Sequence, residues 1–181
     1  MPDIFVISDT HFDHEGILRF TDKDGAYLRD FKDVNHMNEY MIEKWNSVVR
    51  TQDKVYHLGD VGIFKGKNHG QHIARLNGHI RLVLGNHDYF LKHQSFFGTR
   101  VEAVYGSRRL DDFLLTHIPI HPLCLGKKIT ANIHGHVHNN VGPDHFGPRY
   151  FNVSVEVIDY TPVSFEDLKK KVLKKIDQNR K

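Results

Sequence analysis

A chain of 181 residues, 39% hydrophobic and 26% charged, suits one domain with a buried core and a soluble surface. A net charge of +3 makes no strong case for non-specific nucleic-acid binding, and short apolar runs broken by charges make none for a transmembrane span. Cys124 is the single cysteine, which excludes an internal disulfide and a thiolate metal cage; with an N-terminal MPDIFVIS that lacks the marks of a signal peptide, this points to the cytoplasm.

Ile4–Ile7 is the first short run rich in β-branched residues and reads as a strand, with Asp9-Thr10-His11 directly after it. Residues 12–31 form a long connection of the kind that makes lids, carrying His14, Arg19 and Arg29. His14 sits just past the first motif and is a candidate to line a cleft; Arg19 is a candidate phosphate contact. Val34, Met37, Met41, Trp45 and Val48 then recur at helical spacing, with Asp33 as N-cap.

Residues 55–58 read as a second strand, ending in Gly59-Asp60, and residues 68–76 as a shorter helix stopped by Asn77-Gly78. A third strand at 80–84 runs into Gly85-Asn86-His87-Asp88, a fourth at 113–115 into His117, and a fifth at 132–134 into Gly135-His136-Val137-His138. Residues 150–157 alternate, so a sixth strand with one half-exposed face is expected. Ser164 and Asp167 then make a capping box for a helix with an apolar stripe of Phe165, Leu168, Val172 and Ile176. Strands mixed with helices give an α/β class.

Five strands thus end in residues that ligate metals, and ligand sites in open α/β sheets gather beyond the strand carboxyl ends. Fifteen histidines in one chain fit this pattern. The imidazole, carboxylate and carboxamide donors suit Mn, Fe, Zn or Ni, with Mn favoured. Asp9, His11, Asp60, Asn86, His117, His136 and His138 are too many ligands for one tetrahedral site. They suffice for two divalent ions about 3.5–4 Å apart sharing a bridge. Of the other histidines, His57 and His134 lie within strands and are expected to be packed. His69, His72, His79, His93, His121 and His145 are expected to be solvated. Cys124 has no cation beside it in sequence and is expected to be inert.

The order D-x-H, G-D, G-N-H-D, H, G-H-x-H over residues 9–138 resembles the full signature of the calcineurin-like metallophosphoesterase family. The segments SDTHFDHEGI, WNSVV, VYHLGD and NVSVEVIDYTPVS resemble its small, cap-less bacterial and phage members. The resemblance implies a single domain over residues 1–181 with a four-layer αββα sandwich of two mixed β-sheets flanked by helices. It implies that Asp9, His11 and His138 hold one ion, that Asn86, His117 and His136 hold the other, and that Asp60 bridges both. A hydroxide between the ions would attack phosphorus, and His87 would assist the leaving oxygen. Asp88 could orient the His87 ring, or could serve only the turn.

The expected activity is hydrolysis of phosphate esters, with a nucleotide or nucleic acid among the candidate substrates and neither a membrane nor a protein partner implied. A monoester dianion needs extra cations, which the protein-phosphatase branch supplies as arginines beside its second and third motifs. Here Leu84 and Val61-Gly62-Ile63-Phe64 stand in those places, with Lys65 and Arg19 the nearest cations, so a phosphodiester is the expected substrate. Phosphomonoesterase and nuclease activity at the same site are the alternatives, and a non-catalytic metal-binding scaffold is the reading from another class.

Overall fold

In a computed structural model, which describes residues 1–22, 24–63, 71–88 and 101–179, the apolar runs assemble into two sheets. The first contains β1 (Ile4–Ile7), β2 (Lys54–His57), β3 (His79–Val83), β4 (Val101–Tyr105) and β9 (Val163–Ser164), in the order β4-β3-β2-β1-β9. The pairs among β1 to β4 are parallel, and β9 closes against β1 antiparallel. The second has the order β5-β6-β7-β8, from β5 (Arg108–Leu110), β6 (Phe113–Leu115), β7 (Ala131–His134) and β8 (Tyr150–Asn152). Its β6, β7 and β8 run parallel and β5 antiparallel.

A bridge between Ser8 and Ser154 stitches the sheets together just past β1 and β8, with Ser8 N donating to Val153 O at 2.9 Å and Val155 N to Ser8 O at 3.1 Å. The chain segments leaving both sheets therefore meet at one end, where the polar motifs lie.

One apolar cluster joins Met37, Met41, Ile42 and Trp45 of α1 (Val34–Val48) to Val55, Ile80 and Leu82 of the first sheet. α1 starts where expected, because the Asp33 carboxylate accepts the His36 amide at 2.8 Å. The opposite face of that sheet, with Val6, Tyr56 and Val83, packs on Phe113, Leu115, Ala131 and Ile133 of the second. Phe165, Leu168 and Val172 of α3 (Phe165–Gln178) join this inter-sheet cluster.

The four-layer sandwich flanked by helices does not form. Nine strands stand against three α-helices among the described residues, and α2 (Gln71–Ala74) is only four residues long. α3 inserts its apolar stripe into the cluster between the sheets instead of lying on the far face of the second. That far face carries Asn132 and His134, too polar to pair with an apolar helix, and the His134 ring meets Phe146 and Tyr150 instead. The arrangement is a stack of two sheets with helical cover on the first.

Two element readings also change. The strand expected at 150–157 ends at Asn152, and residues 155–160 form turns. Of the helix expected at 68–76, the structure shows Gln71–Ala74, and residues 68–70 lie outside the described residues, as do Lys65, His69 and His93. Strands β4, β5 and β9 were not expected. None of the helices among the described residues is long and apolar enough to cross a membrane.

His57 is 1% exposed beneath the site. The Gly59 amide donates to its Nδ1 at 3.2 Å, so its Nε2 carries the proton, 3.0 Å from Thr10 Oγ1. Burial pushes this imidazole from 6.5 down to about 3, so the folded protein holds it neutral while the unfolded chain protonates it below 6.5. Its contribution to stability is complete above pH 6.5 and is lost as pH falls towards 3. The expected loss is about 1.4 kcal/mol per pH unit. Urea unfolding of the metal-free protein and of His57→Gln across this range checks it: the wild type should weaken more steeply, and equal slopes would remove His57 as the cause.

Candidate metal centre

The loops after β1, β2, β3, β6 and β7 place their polar motifs in one cluster. Two groups have ligand atoms within 4.8 Å of one another, Asp9 with His11 and His138, and Asp60 with His117 and His136. Asp60 connects them: its Oδ2 lies 3.6 Å from His11 Nε2 and 3.4 Å from His117 Nε2. Asn86 joins the second group, its Oδ1 2.9 Å from His117 Nε2, which is also 3.2 Å from His136 Nδ1.

Hydrogen bonds fix which atoms face inward. His117 Nδ1 donates to Leu58 O at 2.8 Å, leaving Nε2 towards Asp60. Asp9 Oδ2 accepts from the His136 amide at 3.0 Å and Ser154 Oγ at 2.9 Å, whereas its Oδ1 is buried with no partner. His11 Nε2 is likewise buried with no hydrogen bond. Orphaned buried polar atoms are costly. Here an unpartnered carboxylate oxygen and an unpartnered imidazole nitrogen adjoin a second carboxylate, a donor set that fits a divalent cation. Burial pushes the Asp9 carboxyl up and the His11 imidazole well down. Asp60 is held well below the usual carboxylate range: burial opposes its charge, and hydrogen bonds from His117 and the His87 amide outweigh it.

Several of these residues sit in sparsely occupied backbone conformations. Asp9 (φ 60°), His11 (50°), Asp60 (56°), His136 (70°) and His138 (47°) all adopt the left-handed region, which side chains of this kind seldom occupy unless surrounding structure imposes it. Gly59, at φ +95°, lies so close to the next loop that an added Cβ would stand 2.5 Å from Gly85 N. A Cβ on Gly135 would strike Ser8 Oγ and the Asp9 carboxylate.

Asp88 braces these turns. Its Oδ2 accepts from Gly85 N at 2.7 Å and Asp60 N at 2.9 Å, and its Oδ1 from Val61 N at 2.9 Å. Those bonds tie the third motif to the second and present Asp60. His87 is half-buried at the rim; its amide donates to Asp60 Oδ1 at 2.8 Å, and its ring centroid is 5.6 Å from that of His11. His14 also adjoins the site, with Nδ1 3.3 Å from His11 Nδ1. Arg19 lines a cleft of about 550 Å3 beside His14, but its exposed guanidinium pairs with Glu15 at 3.4 Å.

His72, expected to be solvated, is buried at 7% exposure, because it stacks on Phe12 with centroids 5.6 Å apart and its Nε2 reaches Asp13 Oδ1 at 3.0 Å. Sequence reasoning missed three residues around the first group: Ser154, Glu156 and the buried guanidinium of Arg29. Ser154 and Glu156 belong to the alternating run read as half exposed. The signal was there in the position of that polar face, directly after a core strand, where it turns towards the other loop ends.

No protein-family model matches the chain. It is similar to a protein of unknown function from Aquifex aeolicus, with a TM-score of 0.73 and 25% identity over 94% of this chain and 99% of that one. A predicted phosphoesterase from Streptococcus pneumoniae superposes with a TM-score of 0.33 and 17% identity, too little to carry an argument. The Gene 66 protein of Mycobacterium phage L5 is 34% identical over 91 residues, 49% of this chain and 41% of the phage protein. An uncharacterized protein of Methanocaldococcus jannaschii is 36% identical over 178 residues, 92% of this chain and 89% of that protein. On that identity and coverage, the chain belongs to the family of the Methanocaldococcus jannaschii protein.

Proposed function

We propose that this protein is a metallophosphoesterase that hydrolyses phosphate esters, phosphodiesters above all, with two divalent ions as cofactors and Mn favoured. One observation carries the reading: a single carboxylate, Asp60, belongs to one His/Asp group and also reaches His11 of the other, as a bridging ligand must. Asp9, His11 and His138 would hold one ion, and Asn86, His117 and His136 the other. When bound, the ions supply a water-derived nucleophile near neutral pH and offset charge on phosphoryl oxygens.

The chain's own residues do the remaining work. His87, tied through its amide to Asp60, stands at the rim where its ring can give a proton to the departing oxygen. Asp88 keeps that loop and Asp60 in fixed relation through three backbone amides. His14, which adjoins His11, would meet a substrate oxygen.

Among the described residues, which do not include Lys65, the charge inventory favours a diester. Arg29 has its guanidinium buried against Glu156, and Arg19 is drawn to Glu15. Arg29 is committed to Glu156 and cannot clamp the extra charge of a monoester dianion, and Arg19 stands in an exposed pair outside the metal-ligand cluster. Nucleotides and nucleic acids are the natural compounds to screen. Comparison of bis-nitrophenyl phosphate with nitrophenyl phosphate, with Mn2+ supplied, tests the reading. The diester is expected to win in kcat/KM by at least about tenfold, roughly 1.4 kcal/mol in the transition state. A monoester advantage would reverse the substrate assignment, and no turnover of either with two ions bound would leave a metal-binding scaffold.

A further inference from the structure

Behind the first group lies a buried charged array that spans the chain. Glu156 Oε1 is 3.0 Å from His138 Nδ1 and accepts from Arg29 Nε at 2.7 Å. Arg29 continues inward, Nη1 donating to Thr10 O at 2.8 Å and Nη2 to Asp9 O at 2.5 Å. The two side chains are 0% and 2% exposed.

A buried ion pair is a poor device for stability, because desolvating both charges offsets most of their attraction, and apolar residues often serve as well. Apart from a contact of Arg29 Nη1 with Met37 Sδ at 3.5 Å, the polar contacts of this pair run towards the site. One end bonds His138, and the other bonds the carbonyls of Asp9 and Thr10, so both ends stop on the first group of candidate ligands. The orientation is informative too. His138 presents Nδ1 to a carboxylate, so Nδ1 carries the proton and Nε2 is the bare ligand atom, 4.0 Å from Asp9 Oδ1. Carboxylates that hold the far nitrogen of an imidazole in this way fix its tautomer and ring angle and raise its basicity towards a metal. Arg29 also steadies the backbone, because its two bonds hold the carbonyls on either side of the Thr10 amide, next to the left-handed turn at Asp9 (φ 60°).

We infer that Glu156 and Arg29 are positioning residues for the first ion site, Glu156 by aiming His138 and Arg29 by balancing Glu156 and clamping the turn that carries Asp9. The inference rests on the dinuclear reading above. It makes the two ion sites unequal in construction: the array serves Asp9 and His138 and touches neither His117 nor His136.

Calorimetric titration of metal-free protein with Mn2+ tests it without recourse to turnover. Wild type should take up two ions. Glu156→Gln keeps a hydrogen-bond acceptor for His138 but loses the charge, and it should weaken one of the two binding steps by about 10–100-fold while leaving the other unchanged. The double variant Arg29→Gln/Glu156→Gln removes both buried charges, so neither is stranded, and should show the same selective loss. In a His136→Ala background, which disables the second site, the remaining step should be the one that Glu156→Gln weakens. Two normal steps in either variant would overturn the inference and leave the dinuclear reading standing. No ion bound by wild type would remove that reading and the inference together. Loss of folding in both variants, seen by circular dichroism, would make the pair a folding element and overturn the positioning role.

Discussion

Asp60→Asn is expected to fold, to lose stoichiometric uptake of two ions, and to lose turnover of a phosphodiester by more than about 10²-fold. The lower bound is set by what removal of a residue behind a ligand costs, about 10–100-fold; Asp60 would touch both ions itself. Folding should survive, because the amide oxygen can still accept the His87 N–H that Oδ1 takes at 2.8 Å. What disappears is the second negative oxygen, which sits 3.6 Å and 3.4 Å from imidazole nitrogens of the two groups. Elemental analysis of the purified variant, with turnover under saturating Mn2+, gives the answer. Two ions retained with turnover near wild type would mean that the carboxylate is not shared.

His87→Ala should have an effect of comparable size and a different character. A positioned general acid contributes about 10²–10⁴-fold, so turnover of a substrate with an alkoxide leaving group should fall by that amount while both ions remain bound. A nitrophenolate leaves without a proton, and the loss should be much smaller for such a substrate. Burial does not force the ring into the core: His87 is half-buried, and no candidate ligand atom is removed with it. Rates measured across a series of leaving-group basicities decide between roles. An equal loss along the whole series would assign His87 to holding the phosphate.

The site was more legible in the sequence than the layers around it. Asp9, Asp60, Asn86, His117, His136 and His138 each follow a short strand, and parallel pairing of such strands brings their ends to one edge of a sheet whatever covers the faces. Covering elements leave a weaker trace. α3 has a clear apolar stripe, but periodicity says only that one face is buried, not against what, and here it is buried between the sheets. The pairing of Glu156 with Arg29 was unreadable for a related reason, although the polar face that carries Glu156 was visible. A charged residue in a polar stretch looks solvated until a partner far along the chain is placed against it, and here the Ser8–Ser154 bridge and the Phe31–Tyr160 ring contact bring the segments together. Asp88 lay between two readings. Its bonds to three backbone amides show a brace across two loops, which depends on β2 and β3 being neighbours.

The pairing of β9 with β1 has a consequence for the order in which the chain can close. β1 is flanked by β2 on one side, and on the other only by Val163 and Ser164, which meet Val6 and Phe5. Until those residues have been synthesised, the Ile-Phe-Val-Ile strand has a bare edge of unpaired amides and carbonyls, the kind of template on which strands of other chains can add. A ribosome-bound or truncated chain that stops short of residue 163 would carry every candidate metal ligand and still expose that edge. The vulnerable interval for this protein therefore lasts until residues 163–164 emerge, and two residues of strand followed by a lysine-rich helix end it.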